Sequence, residues 1–208
     1  MERQWFGRAA GILFFVSTAS YLIGSGWIGD WLEAAGIGTD RGPAVAGSFL
    51  ELVNVMAVMG ISVLLYGTVK KHSEAIAIGY LGSRIVEAVL LAVGIVATLA
   101  LLAAGSPDDA SFRAARVVAV AVRETSFQLA MVSLGAGSLA FCYVLYRARL
   151  IPRVLSGLGL LGYVALLASS FLSLAGYEPG AYLFIPGGIF EAVFPLWLIF
   201  KGFPKERA

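Results

Sequence analysis

The chain has 208 residues, of which 59% are hydrophobic and only 13% charged, with a formal net charge of +2. Soluble domains carry roughly 25% charged residues, so water is excluded as the solvent for most of this surface. One histidine and one cysteine also exclude an intrachain disulfide and the metal sites that need several such ligands.

Apolar stretches of about 18 or more residues read as membrane-spanning helices. Six occur, at about 6–28, 43–69, 74–104, 114–147, 152–175 and 180–201. They use up nearly the whole chain, so the expected fold is all-α: one polytopic transmembrane domain of six helices over 1–208.

The first span opens on "MERQWFGRAAGILFFVSTASYLIG", basic then apolar like a signal peptide. Its apolar run exceeds the roughly 7–15 residues of a signal core, and an uncleaved first helix is expected. The turn "GIGTDRGP" at 36–43 leads to the second span, which carries Glu51, with Asn54 and Ser62 on the same face. "KKHS" at 70–73 is the next turn. The third span places Arg84 and Glu87 three residues apart, close enough on a helix to pair. Ala75, Gly79 and Ser83 precede Glu87 at intervals of four, a small-residue face suited to close helix contact.

After "GSPDD" at 105–109, the fourth span holds Arg123, Glu124, Gln128 and the lone Cys142. Pro152 stands at the start of the fifth, where a missing N–H costs least. Ala165, Ser169 and Ser173 form a second small-residue stripe there. In the sixth, "IPGGIFEAVFPLW" puts Pro186, Gly187 and Gly188 before Glu191 and Pro195 four after it. Pro195 cannot donate to the Glu191 carbonyl, so a broken helix is expected. "IVEAV" at 85–89 echoes "IFEAV" at 189–193, the pattern an inverted three-plus-three repeat would leave.

The basic residues are unevenly placed. With the N-terminus inside, the inner side holds Arg3, Arg8, Lys70, Lys71, Arg147, Arg149, Arg153, Lys201, Lys205 and Arg207, and the outer side only Arg41, Arg113 and Arg116. This asymmetry predicts both termini in the cytoplasm, with membrane lipids as neighbours of the basic ends. The basic residues lie in separate loops, which argues against nucleic acid.

A charge at the bilayer centre costs at least ~2.5–3.5 kcal/mol on insertion scales. Glu51, Asn54, Arg84, Glu87, Arg123, Glu124, Gln128 and Glu191 are therefore the candidate ligand- or proton-binding residues, expected around one polar site between the second, third, fourth and sixth helices. Glutamates outnumber arginines in this set by two, so protonation or a bound cation is expected. The only histidine, His72, lies in a turn, which removes haem, di-iron and HExxH zinc chemistry. No G-x-S-x-G and no phosphate-cradling Gly-x-x-x-x-Gly-Lys occurs. No catalytic residue, metal ligand or cofactor is assigned.

"LLYGTVKKHSEAIAIGYLGSRIVEA" (64–88), "YRARLIPRVLSGLGLLGYV" (146–164) and "FEAVFPLWLIFKGF" (190–203) resemble a bacterial multi-pass membrane family catalogued as domain of unknown function 4386. The resemblance covers most of the chain after the first span and singles out Arg84, Glu87, Pro152, Arg153, Glu191 and Trp197. It implies a multi-pass protein of the bacterial cytoplasmic membrane and assigns no activity.

Three functions fit these residues. The leading one is binding or transport of a small amphiphile, a cation or protons at the buried glutamates, in which case six spans favour a homodimer. The second is a structural or regulatory membrane subunit without a ligand. The third is a lipid-modifying enzyme using carboxylate acid–base chemistry.

Overall fold

The computed structural model describes residues 2–34, 40–104 and 110–203. Six α-helices and no strand occur among them: α1 (Glu2–Ala34), α2 (Gly42–Lys70), α3 (Glu74–Ala103), α4 (Ala110–Arg147), α5 (Arg153–Leu174) and α6 (Ile185–Phe200). Each is long and apolar enough to cross a membrane, α6 with the residues just before it. The turns expected at 36–39 and 105–109, and Lys205 and Arg207, lie outside the described residues.

The helices form a closed ring in chain order. Each packs against its sequence neighbours, and α6 closes on α1. Hydrophobic driving force is weak between helices in lipid, so small residues that let backbones approach carry much of the packing. A Cβ added at Gly24 of α1 would lie 2.7 Å from the Gly47 carbonyl of α2. One added at Gly162 of α5 would lie 2.6 Å from the Gly187 backbone of α6. Gly137 of α4 sits directly against the Ser83 side chain of α3.

The expected small-residue face on α3 is only partly used. Ser83 packs, but Ala75 and Gly79 are exposed, and nothing lies within 4 Å of a Cβ placed at Gly79. On α5, Ser169 is buried and Ala165 and Ser173 are partly buried.

Arg8, the Lys70–Lys71 pair, Arg147, Arg153 and Lys201 all fall at the end of the ring where α1, α3 and α5 begin. Ser73 caps α3 there by accepting from the Ile76 N–H at 3.3 Å. At the opposite end, arginines close helix C-termini, whose last carbonyls lack partners within the helix. Arg41 donates to the Leu102 carbonyl of α3 at 3.0 Å, and Arg116 to the Leu32 carbonyl of α1.

Toward the basic end, the interior is filled by aromatic rings. Tyr80 stacks on Phe141 at 4.6 Å between centroids, Phe190 on Phe194 at 5.1 Å, and Phe14 meets Phe194 edge-on. The helices α1 and α6 are close here, with Gly11 against Pro195 and Ile199. α6 has only 16 residues, about 24 Å of helix, against a hydrocarbon core of about 30 Å. A 3₁₀ turn, Ala181–Phe184, precedes it. The break expected at Pro195 does not occur: α6 runs continuously from Ile185 through Pro195 to Phe200. The irregular backbone lies before it, in the 3₁₀ turn, and Pro186, Gly187 and Gly188 occupy the first turn of α6.

Candidate functional site

Above the aromatic layer, the ring encloses a cavity of about 300 Å³ to which all six helices contribute. Its polar side is built from α3, α5 and α6. Arg84 and Glu87, one helical turn apart on α3, are both buried and pair at 2.8 Å. Glu191 of α6 accepts a hydrogen bond from the Tyr163 hydroxyl of α5 at 3.2 Å. Arg84 Nε is buried with no hydrogen-bond partner, so the guanidinium keeps an unused donor. Across the cavity, Ser17 of α1 donates to Asn54 of α2 at 2.6 Å. The remaining wall is largely apolar, including Phe14, Val58, Leu91, Leu134 and Leu166.

Glu51 and Arg123 belong to a separate cluster. Arg123 of α4 forms a two-pronged ion pair with Glu51 of α2, the Nη1–Oε2 arm at 2.9 Å. Its Nη1 also reaches the Thr98 hydroxyl of α3 at 3.3 Å. This cluster borders a second cavity of about 260 Å³, nearer the ring end opposite the basic one. Tyr21 of α1 and Phe127 of α4 stack across the ring, centroids 5.8 Å apart and planes 7° from parallel. Both rings, with Leu91, line both cavities.

The expectation of one polar site is therefore corrected to two. Asn54, Arg84, Glu87 and Glu191 meet in the inner cavity, while Glu51 and Arg123 pair in the outer one. Glu124 lies on the outer cavity's wall with an exposed side chain. Gln128 is partly buried and lines neither cavity, its Oε1 without a hydrogen-bond partner. The physical reason is that Tyr21 and Phe127, stacked across the ring, stand between the two clusters. Arg123 and Glu124 are adjacent, about 100° apart around α4, so Arg123 turns in toward Glu51 while Glu124 stays at the exposed rim of the same cavity.

Sequence reasoning also passed over Tyr163, Thr98, Ser17, Thr18 and Tyr21, all on walls of these clusters. α5 carries no mid-span charge, so a search led by charge gave it no place in the site. A tyrosine in mid-span, whose hydroxyl needs a partner when buried, was the available signal. Glu87 and Glu191, the glutamates of the two echoing pentapeptides, line the same cavity. Of the other residues singled out by the motifs, Pro152 precedes α5 directly. Arg153 lies over the Tyr146 ring at 5.5 Å, and Lys201 over Trp197 at 4.6 Å.

Among the described residues, no group of three or more His, Cys, Asp or Glu side chains could hold a metal ion. Cys142 is buried against Gly159, away from both cavities. What the inner cavity offers chemically is two carboxylates, one guanidinium and two phenols, those of Tyr163 and Tyr21, on the walls of an otherwise largely apolar chamber.

Six long apolar helices closed around a polar interior, with a buried salt bridge, define a multi-pass membrane protein. Residues 9–202 match the family model described as "Domain of unknown function (DUF4386)", and the chain belongs to that family. No curated protein and no solved structure matches it.

Proposed function

We propose that the protein binds, for retention or transport, a small ligand bearing positive charge, with Glu191 as its counter-charge. The observation that carries this reading is the inner cavity, where an apolar chamber ends in two carboxylates and only one guanidinium. Arg84 is ion-paired with Glu87, which leaves Glu191 hydrogen-bonded to a phenol and in no ion pair of its own among the described residues. Desolvated charge of one sign is unfavourable, and a cationic head placed between Glu191 and Glu87 would balance it. The volume lies at the lower end of the ~300–1,000 Å³ of ligand pockets, which suits an amine or a short amphiphile.

The structural reading fits the outer cluster. Glu51, Arg123 and Thr98 satisfy one another and tie α2, α3 and α4 together, as buried polar residues that fix helix partners do. It accounts less well for the inner cavity, where two carboxylates face one guanidinium.

Thermal unfolding in detergent with n-octylamine as the probe tests the proposal. At about 100 times its dissociation constant, a ligand that binds only the folded state stabilises it by about 2.7 kcal/mol. Wild type should gain stability in proportion to the logarithm of amine concentration above the dissociation constant, and Glu191→Gln should gain little. Equal stabilisation of both proteins, or equal stabilisation of wild type by octyl sulfate, would contradict it.

A further inference from the structure

Resting on that reading, the geometry points to the bilayer as the ligand's source: we infer that the ligand is a membrane-dissolved amine amphiphile that enters sideways between α1 and α6. Three walls of the inner cavity lead to this. On the basic side, the cavity meets the aromatic layer of Phe14, Phe190 and Phe194. On the other side, the stacked Tyr21 and Phe127 stand between it and the outer cavity. Between α1 and α6 the wall is thin. Thr18, Leu22, Phe184 and Gly188 line the cavity and are at the same time exposed, not covered by a neighbouring helix.

That opening lies at bilayer depth. Thr18 and Leu22 are central in a span that runs Trp5–Glu33, and Gly188 lies within the span Tyr182–Phe200. The surface around it is apolar, with Leu22, Ile23, Ile185 and Ile189 all exposed, so it faces acyl chains and not water. The first turn of α6 creates it: Gly187 packs against Gly162 of α5, while Gly188 presents no side chain that could close the wall. Nothing lies within 4 Å of a Cβ built at Gly188.

Charge and shape then select the occupant. An amine head would sit at Glu191, beside the Arg84–Glu87 pair, while its alkyl chain runs out between Leu22 and Phe184. An anionic head would find one guanidinium with a free Nε donor, but with its charge already offset by Glu87 and with the second carboxylate, Glu191, on the same cavity wall. A water-soluble cation has no chain to match the apolar opening.

The test follows uptake of radiolabelled n-dodecylamine by the purified protein in phosphatidylcholine nanodiscs, with empty nanodiscs as background. Gly188→Phe and Leu22→Trp narrow the opening, and Phe184→Ala widens it. Each narrowing variant should slow association by about ten-fold, within the roughly one to three decades that association rates span among variants of one site, and Phe184→Ala should speed it. The space at Gly188 and the exposure of Leu22 make these substitutions compatible with folding, and the widening variant reads the same route in the opposite direction.

Uptake that ignores all three variants but accelerates in Phe127→Ala would overturn the lateral route in favour of the outer cavity, with the cation-binding reading intact. Saturable binding that is the same in wild type and Glu191→Gln, or absent from wild type, would instead sink the cation-binding reading itself.

Discussion

Arg84 and Glu87 pair within one helix and one turn, and both are buried. Removing one partner of a buried pair leaves the other charge uncompensated, at a typical cost of ~3–5 kcal/mol. Arg84→Ala should therefore lower thermal stability in detergent well below wild type, and Arg84→Lys much less. An Arg84→Ala protein that melts like wild type would contradict the burial described here. Tyr163→Phe deletes the donor to Glu191. A hydrogen bond to a charged group is worth ~1.5–3 kcal/mol of stability, so Tyr163→Phe should lower the melting temperature. It should weaken amine binding by at most roughly ten-fold, since the bond is already present in the free protein.

At this scale the charged residues were legible in the sequence, because a charge in an apolar span is costly and must have a reason to be there. Their neutral partners were not. Tyr163 and Thr98 are ordinary residues of membrane helices, and only the ring closure brings them to Glu191 and Arg123.

The helices themselves could be read from apolar run length, since lipid leaves the backbone few alternatives. What failed at this scale was the prediction of which small residues pack. Gly79 and Gly24 look alike in sequence, yet one faces open space and the other lies against the Gly47 carbonyl. Rotation of a helix about its own axis decides this, and the hydrophobic pattern fixes that rotation weakly when both faces are apolar.

The contrast is testable on α5. Gly162→Ala forces a methyl to within 2.6 Å of the Gly187 backbone and should destabilise by ~1–3 kcal/mol, the usual cost of overpacking. Gly157→Ala on the same helix meets nothing within 4 Å. It should be neutral or stabilising, by up to ~1 kcal/mol, because Ala is the better helix former. Equal losses at both positions would mean that α5 and α6 do not cross at Gly162 and Gly187.

Across the whole molecule, an even number of crossings puts the two ends of the described chain on one side of the membrane. The basic residues collect at that end, which predicts that it faces the cytoplasm. His72 and Asp40 are exposed at opposite ends of the ring. In intact cells a membrane-impermeant maleimide should label Asp40→Cys and spare His72→Cys, and the reverse pattern would invert the orientation.

The ring also explains why one expected site became two. The sequence could say how deep each charge lies, but not that Tyr21 and Phe127, far apart in the chain, stack across the interior and divide it. The central claim is that the inner division is a chamber for a cationic group held at Glu191. It is tested most directly by a crystal structure with an ω-bromoalkylamine, whose bromine is located by anomalous scattering. The account predicts the amine beside Glu191 and Glu87, with the bromine toward the opening between Leu22 and Phe184. Bromine found only on the outer surface of the ring, with side chains filling the inner cavity, would contradict it.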